Sequence, residues 1–322
     1  SKLAINNSKN GYLDCVKCGL CFHGCPHDLI YSTSDLFDSF IKNHKIKYIP
    51  NIKVNSFDEA MDEVIVSTKN LKSNKIEEFR GKYLFLGSGS ISSTKILMNT
   101  LKIKNDISLS CKDQYVAPIY LKFKSKLDYM QKYNTLSEIF IEVKDKEVCE
   151  KNVHIQIYPF SDIVLSFLPL FKKFFAKYFN FIFKKFMIAQ ILIPSKFSPI
   201  INVSLSEKKS LILKSQKNAE SGKIVKKIIK KLNHKNLLGF KIMSKLMIRL
   251  GAGGSQHLGS SFKMHKEPSK FETDTSGRPF GFKRIHVIDS TVLPNLPTAT
   301  LVFATMSNSI RIAKKVINNI EK

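Results

Sequence analysis

The sequence contains no tryptophan, only six cysteines, and half as many acidic residues (26) as basic ones (52) among its 322 residues. Six cysteines in so long a chain exclude a disulfide framework as the main support of the fold. The apolar run at 166–190 is broken by lysines, which excludes a spanning helix there. There is no internal repeat and no low-complexity tract, so solenoid and repetitive architectures are excluded. No apolar signal region or initiator Met opens the sequence, so we read no secretory signal and expect the chain to begin within a larger protein.

What is present is apolar material for a full core. Hydrophobic residues make up 43% of the chain and the mean hydropathy is −0.10, which argues against disorder. The net charge is +26. It suits an anionic partner such as an acidic membrane surface or an anionic substrate. It equally suits a compositional bias, since Lys, Asn and Ile dominate and the lysines are spread along the chain. A nucleic-acid partner is not expected: there is no recognisable binding module, and no basic stripe with interleaved aromatics.

Periodicity predicts a helix over 34–42, with Ser34 as its N-cap, and strand-like segments from Lys45 to Thr68. The segment YLFLGSGSISSTKILMNT reads as strand, Gly-Ser turn and helix, with the helix N-terminus free to face a phosphate or a ring oxygen. Strands are expected at YVAPIYLKFK, EIFIEVKD and VHIQIYPF, and an antiparallel pair within 197–215. Helices are expected at KIVKKIIKKLN and KIMSKLMIRL. A Gly/Ser-rich loop follows, then a strand (RIHVID), a Pro-rich turn and a long final helix.

The last quarter carries the most specific signal. His257, Gly259, Ser260 and Met264 are followed by Gly277, Val287, Asp289, Ser290, Pro294 and Pro297, in this order. This series resembles the C-terminal region of the glucose–methanol–choline (GMC) oxidoreductase family, and GSGSISSTKIL is similar to that family's second flavin-contacting turn. The resemblance implies an α/β fold: an FAD-binding Rossmann-like domain, incomplete here, from 1–110 plus 250–322, and an α+β antiparallel-sheet substrate domain at 111–249. It implies oxidation of a CH–OH group of an alcohol, sugar, lipid or sterol by hydride transfer to flavin. The cofactor carries the hydride, while the protein supplies a base and the alignment. By this resemblance His257 is the base, and imidazole suits the role because its pKa lies near neutrality. The family's second His or Asn corresponds to Thr300, a departure, since a Thr hydroxyl orients but does not act as a base. A plain turn Thr is the alternative there. Asp289 would lie beside the flavin's ribityl–pyrophosphate segment and Val54 beside the adenine. Leu301 would open the helix facing the flavin ring. Gly87 and Gly89 would let backbone approach the cofactor. The dinucleotide motif G-x-G-x-x-G is missing, so by itself the chain is expected to bind FAD poorly.

The segment C15-VK-C18-GL-C21-FHG-C25-P26 has the C-x2-C-x2-C-x3-C-P spacing of bacterial ferredoxin ligands. Cys15, Cys18, Cys21 and Cys25 therefore leave three readings open: an iron–sulfur cluster passing electrons to an acceptor protein or quinone, a zinc site, or a thiol-bearing turn. An iron–sulfur electron-transfer module is the alternative function that this segment alone would support. In residues 166–190, Lys172, Lys173, Lys177, Asn180 and Lys184 fall near one helical face opposite Phe171, Phe174, Phe175, Tyr178, Phe181, Ile182 and Phe186. That pattern suits a helix lying in a membrane interface, or a cap helix with its lysines in solvent. The expected location is cytoplasmic, with peripheral contact at the inner membrane face.

Overall fold

In the computed structural model, residues 18–121, 136–137, 139–159, 186–234 and 239–320 are described. They fall into two compact units. One is drawn from Ser1–Tyr48, Tyr115–Ile191 and Lys223–Arg249, the other from Ile49–Gln114, Leu192–Gly222 and Leu250–Lys322.

The first unit contains helix α1 (Thr33–Lys42) and a six-stranded sheet. Its strands run β12 (Phe240–Ile242), β6 (Gln114–Leu121), β9 (Phe186–Leu192), β8 (Val153–Pro159) and β7 (Ile139–Val143), and β13 (Ile248–Arg249) also pairs with β6. Val153, Ile155 and Ile157 of β8 are buried, as the two-residue strand period requires. Helix α3 (Glu220–His234) buries Ile224, Val225, Ile228 and Ile229 and leaves Lys226, Lys227 and Lys230 exposed. This is the i, i+3, i+4 stripe of an amphipathic helix.

The second unit is built from three small sheets. Strands β1 (Ile52–Glu59), β2 (Val64–Asn70) and β3 (Ile76–Gly81) form an antiparallel meander, with a bulge between Val54 and Ser56. A four-stranded antiparallel sheet runs β11 (Leu211–Gln216), β10 (Ile200–Leu205), β5 (Ile107–Cys111) and β14 (Leu258–Gly259). The parallel pair is β4 (Leu84–Leu86) with β15 (Ile285–Val287). Helix α2 (Ser90–Thr100) and the closing helix α4 (Leu301–Ile320) complete it. The core gathers Phe57, Leu86, Leu97, Met98, Leu109, Val203, Phe262, Ile285 and Val287. The unit is thus mixed α/β, and β4–β15 is its only parallel sheet among the described residues; no larger Rossmann-like sheet is seen among them.

Several expectations are corrected. Helix α1 begins at Thr33, and Ser34 lies inside it, its hydroxyl bonded to that of Ser32 at 2.8 Å. Residues 45–51 are a bend, a stretch of irregular backbone and a turn, and not strand. KIMSKLMIRL is not a helix. Its residues form β12, a short 3-10 turn (Ser244–Leu246) and β13, because Ile242 pairs with Ile119 and Ile248 with Val116 on β6. Phe186 and the residues after it lie on strand β9, so the expected interfacial helix does not extend to 190; the remainder of that segment lies outside the described residues.

Candidate active site

The site is assembled within the second unit, where four distant segments meet. The first is the β4–α2 turn. Gly89, the N-cap of α2, has φ +83°, and no atom lies within 4 Å of where a Cβ would stand. Such a backbone favours glycine, and here it leaves open space at the helix start. Beyond the end of β15, Asp289 reaches across to this turn. Its Oδ2 accepts from the Gly89 N–H (2.9 Å) and the Ser93 hydroxyl (2.5 Å), and its Oδ1 accepts from the Thr291 N–H (2.9 Å). The parallel pairing of Leu86 with Val287 brings these groups together. Gly87 packs against Ile288. Val54 is half-buried on β1, paired with Thr68.

The third and fourth segments are the ends of β5 and β14. Leu258 pairs with Cys111, which sets His257 across from Lys112. The Lys112 N–H donates to the His257 carbonyl at 3.2 Å. The Ser255 hydroxyl donates to the Lys112 carbonyl at 2.6 Å and accepts from the His257 N–H at 3.4 Å. Gly259 then passes so close to β15's successor segment that an added Cβ would stand 2.4 Å from the Ser290 carbonyl oxygen. Lys112 has no exposed surface, and its Nζ donates to the carbonyls of Thr298 (3.3 Å) and Ala299 (2.7 Å). Those carbonyls immediately precede Thr300, which is exposed, and Leu301, the buried first residue of α4. The next two residues, Val302 and Phe303, present open apolar surface.

His257 is half-buried, and its Nδ1 is buried with no hydrogen-bond partner among the described residues. The hydroxyls of Ser260 and Thr291 are also buried and unpartnered there. Buried polar atoms in a folded chain are nearly always satisfied, so such atoms call for an explanation such as an absent ligand or water. Burial, and then the charge of Lys112, push His257 down to about 4, while burial pushes Lys112 down to about 8. At neutral pH the pair is a free imidazole beside an ammonium ion.

Of the cysteines, Cys18, Cys21 and Cys25 lie on the first unit's N-terminal segment, where the Cys25 sulfur accepts from the Leu29 N–H at 3.4 Å. Cys15 lies outside the described residues. Among the described residues no group of three or more His, Cys, Asp or Glu side chains could hold a metal ion, so the cluster reading draws no support there. No helix among them is long and apolar enough to cross a membrane. Lys112 was missed in the sequence. One lysine after an apolar strand gives no local signal of burial in a chain with so many lysines.

No family sequence model and no curated protein sequence matches the chain. Solved structures do. An FAD-dependent oxidoreductase from Chaetomium thermophilum is 11% identical with a TM-score of 0.55, over 88% of this chain and 64% of that one. A formate oxidase from Aspergillus oryzae is 12% identical with a TM-score of 0.59, over 87% of this chain and 63% of that one. This chain therefore spans less than two thirds of each neighbour's length and shares the fold of that part.

Proposed function

We propose that this chain forms part of a GMC-type, FAD-dependent oxidoreductase that oxidises a CH–OH group of a small alcohol, sugar or lipid substrate, with His257 as the base. The observation that carries the reading is His257: an imidazole with an unpartnered buried nitrogen, on a strand end whose backbone is paired with that of a buried lysine, in a fold shared with an FAD-dependent oxidoreductase and a formate oxidase.

The residues present suit the ring end of a flavin. Gly89 leaves open space, and exposed Val302 and Phe303 offer apolar surface at the positively polarised N-terminus of the 20-residue helix α4. The unpartnered hydroxyls of Ser260 and Thr291 add polar groups in need of partners. No G-x-G-x-x-G motif is present to hold the pyrophosphate. In this reading Gly87, Gly89 and Leu301 contact the cofactor and Val54 lies towards the adenine. Asp289 acts by fixing the Gly89 turn, since three protein donors already occupy its carboxylate. When bound, the flavin supplies the sink for the substrate's hydride.

The chain's own part is proton handling and placement. The neutral imidazole of His257 takes the proton of the substrate hydroxyl onto its free lone pair. A proton-transfer group of this kind contributes roughly 10²–10⁴-fold. Thr300, exposed at the entry to α4, offers a hydroxyl that orients the substrate. Replacing His257 with Ala in the flavin-loaded protein is expected to slow flavin reduction by an alcohol roughly 10²–10⁴-fold in stopped flow, with the flavin absorbance retained. An unchanged rate removes His257 from the reaction.

A further inference from the structure

A lysine without exposed surface is costly unless its charge is compensated. Lys112 is buried in this way, yet no carboxylate pairs with it among the described residues. Two backbone carbonyls accept its hydrogen bonds, and a polar side chain with N–H donors would serve them without a full charge. What a neutral replacement would not supply is a positive charge fixed opposite His257. The fixing is thorough. Lys112 and His257 face each other at the end of the β5–β14 ladder, joined by the Lys112 N–H to His257 carbonyl bond. Ser255 bridges their two backbones. The ammonium also ties down the carbonyls of residues 298 and 299, directly before Thr300 and α4.

We propose that Lys112 is a positioning residue for His257: its buried side chain, set across the β5–β14 ladder from the histidine, holds a positive charge on that side of the site and pins the backbone that leads into α4. The proposal rests on His257 acting as the base. Burial lowers the imidazole most, and the charge of Lys112 acts in the same direction. Electrostatic repulsion between like charges in a partly desolvated site disfavours the second charge. A protonated imidazole has no lone pair to offer a hydroxyl.

The test is a histidine titration followed by NMR on the full chain carrying labelled histidine, with the His257→Ala spectrum identifying the resonance. In Lys112→Met and Lys112→Gln the His257 midpoint is expected to rise by about one pH unit, the size of effect a single nearby charge produces. Gln retains N–H donors for the 298 and 299 carbonyls, so it separates the charge from the pinning and stands in if Met impairs folding. Lys112→Arg is expected to restore the low midpoint. A parallel reading in the flavin-loaded protein is the acid limb of the flavin-reduction profile, which should move up with the midpoint. An unmoved His257 titration in both neutral variants overturns the proposal and leaves Lys112 a structural pin. A shifted titration combined with unimpaired flavin reduction in His257→Ala leaves the electrostatic coupling standing and overturns the base assignment instead.

Discussion

At the turn between β4 and α2 the polar groups are tied to one another, whereas around His257 buried polar atoms stand without partners. Asp289 alone collects two donors from this turn and a third from Thr291 on its own segment. In the second, the Nδ1 of His257 and the hydroxyl of Ser260 are buried and unpaired among the described residues. The first is built as a scaffold. The second carries unsatisfied groups, each of which costs on the order of 1–3 kcal/mol when nothing fills it.

Substitutions can break this contrast. The largest expected effect on stability is at the tied end. Asp289→Ala strands three donors and should lower the unfolding free energy by about 3 kcal/mol in a urea titration. Loss of well under 1 kcal/mol would mean that the carboxylate is not a clamp. Next comes Gly259→Ala, whose Cβ would press on the Ser290 carbonyl oxygen and Leu296. Overpacking of this kind costs roughly 1–3 kcal/mol, and the same titration reads it. An Ala as stable as the Gly would show that the two segments can part freely.

A pH series sharpens the other side. The folded chain holds His257 down at about 4, below its ordinary 6.5, so the unfolded chain binds the proton first. Stability is therefore fully present above pH ~6.5 and declines as the pH falls toward about 4. His286 is lowered in the same direction, mainly by burial, and contributes to the same slope. His257→Ala should flatten part of the decline in urea midpoints between pH 7 and 4; an identical slope would place the titrating group elsewhere. The last test reads membrane binding and not stability, at the basic run outside the described residues. Replacing Lys172, Lys173, Lys177 and Lys184 with Glu should reduce pelleting with anionic liposomes, each lysine near such a surface being worth about 1 kcal/mol. Equal pelleting would argue against a membrane-facing role.

The tied region was largely legible in the sequence. A short apolar run, a Gly-Ser turn and a periodic helix predicted β4, its turn and α2, and the hairpin of β10 with β11 followed from alternation. The role of Asp289 as a clamp was not legible, because its partners at Gly89 and Ser93 lie far away in sequence and meet it only through the parallel pairing of β4 with β15. Strand β3 was missed because IEEFRG carries Glu77, Glu78 and Arg80 where an alternating apolar pattern would have marked it. KIMSKLMIRL misled in the opposite sense. Its apolar residues fall at helical spacing, but the backbone pairing offered by β6 prevailed over local propensity. In the region around His257 the imidazole stood out by its neighbours in the chain, while Lys112 did not.

The ladder that joins β4 to β15 also has a temporal side. One strand is made well before the other, with the whole four-stranded sheet and α3 between them. Pairing across so long a separation must close a large loop before any contact rewards it, which makes it a slow event. During translation, β4 and α2 would wait with an apolar edge uncovered until the RIHVID segment left the ribosome. An uncovered edge of this kind is open to aggregation until its partner arrives.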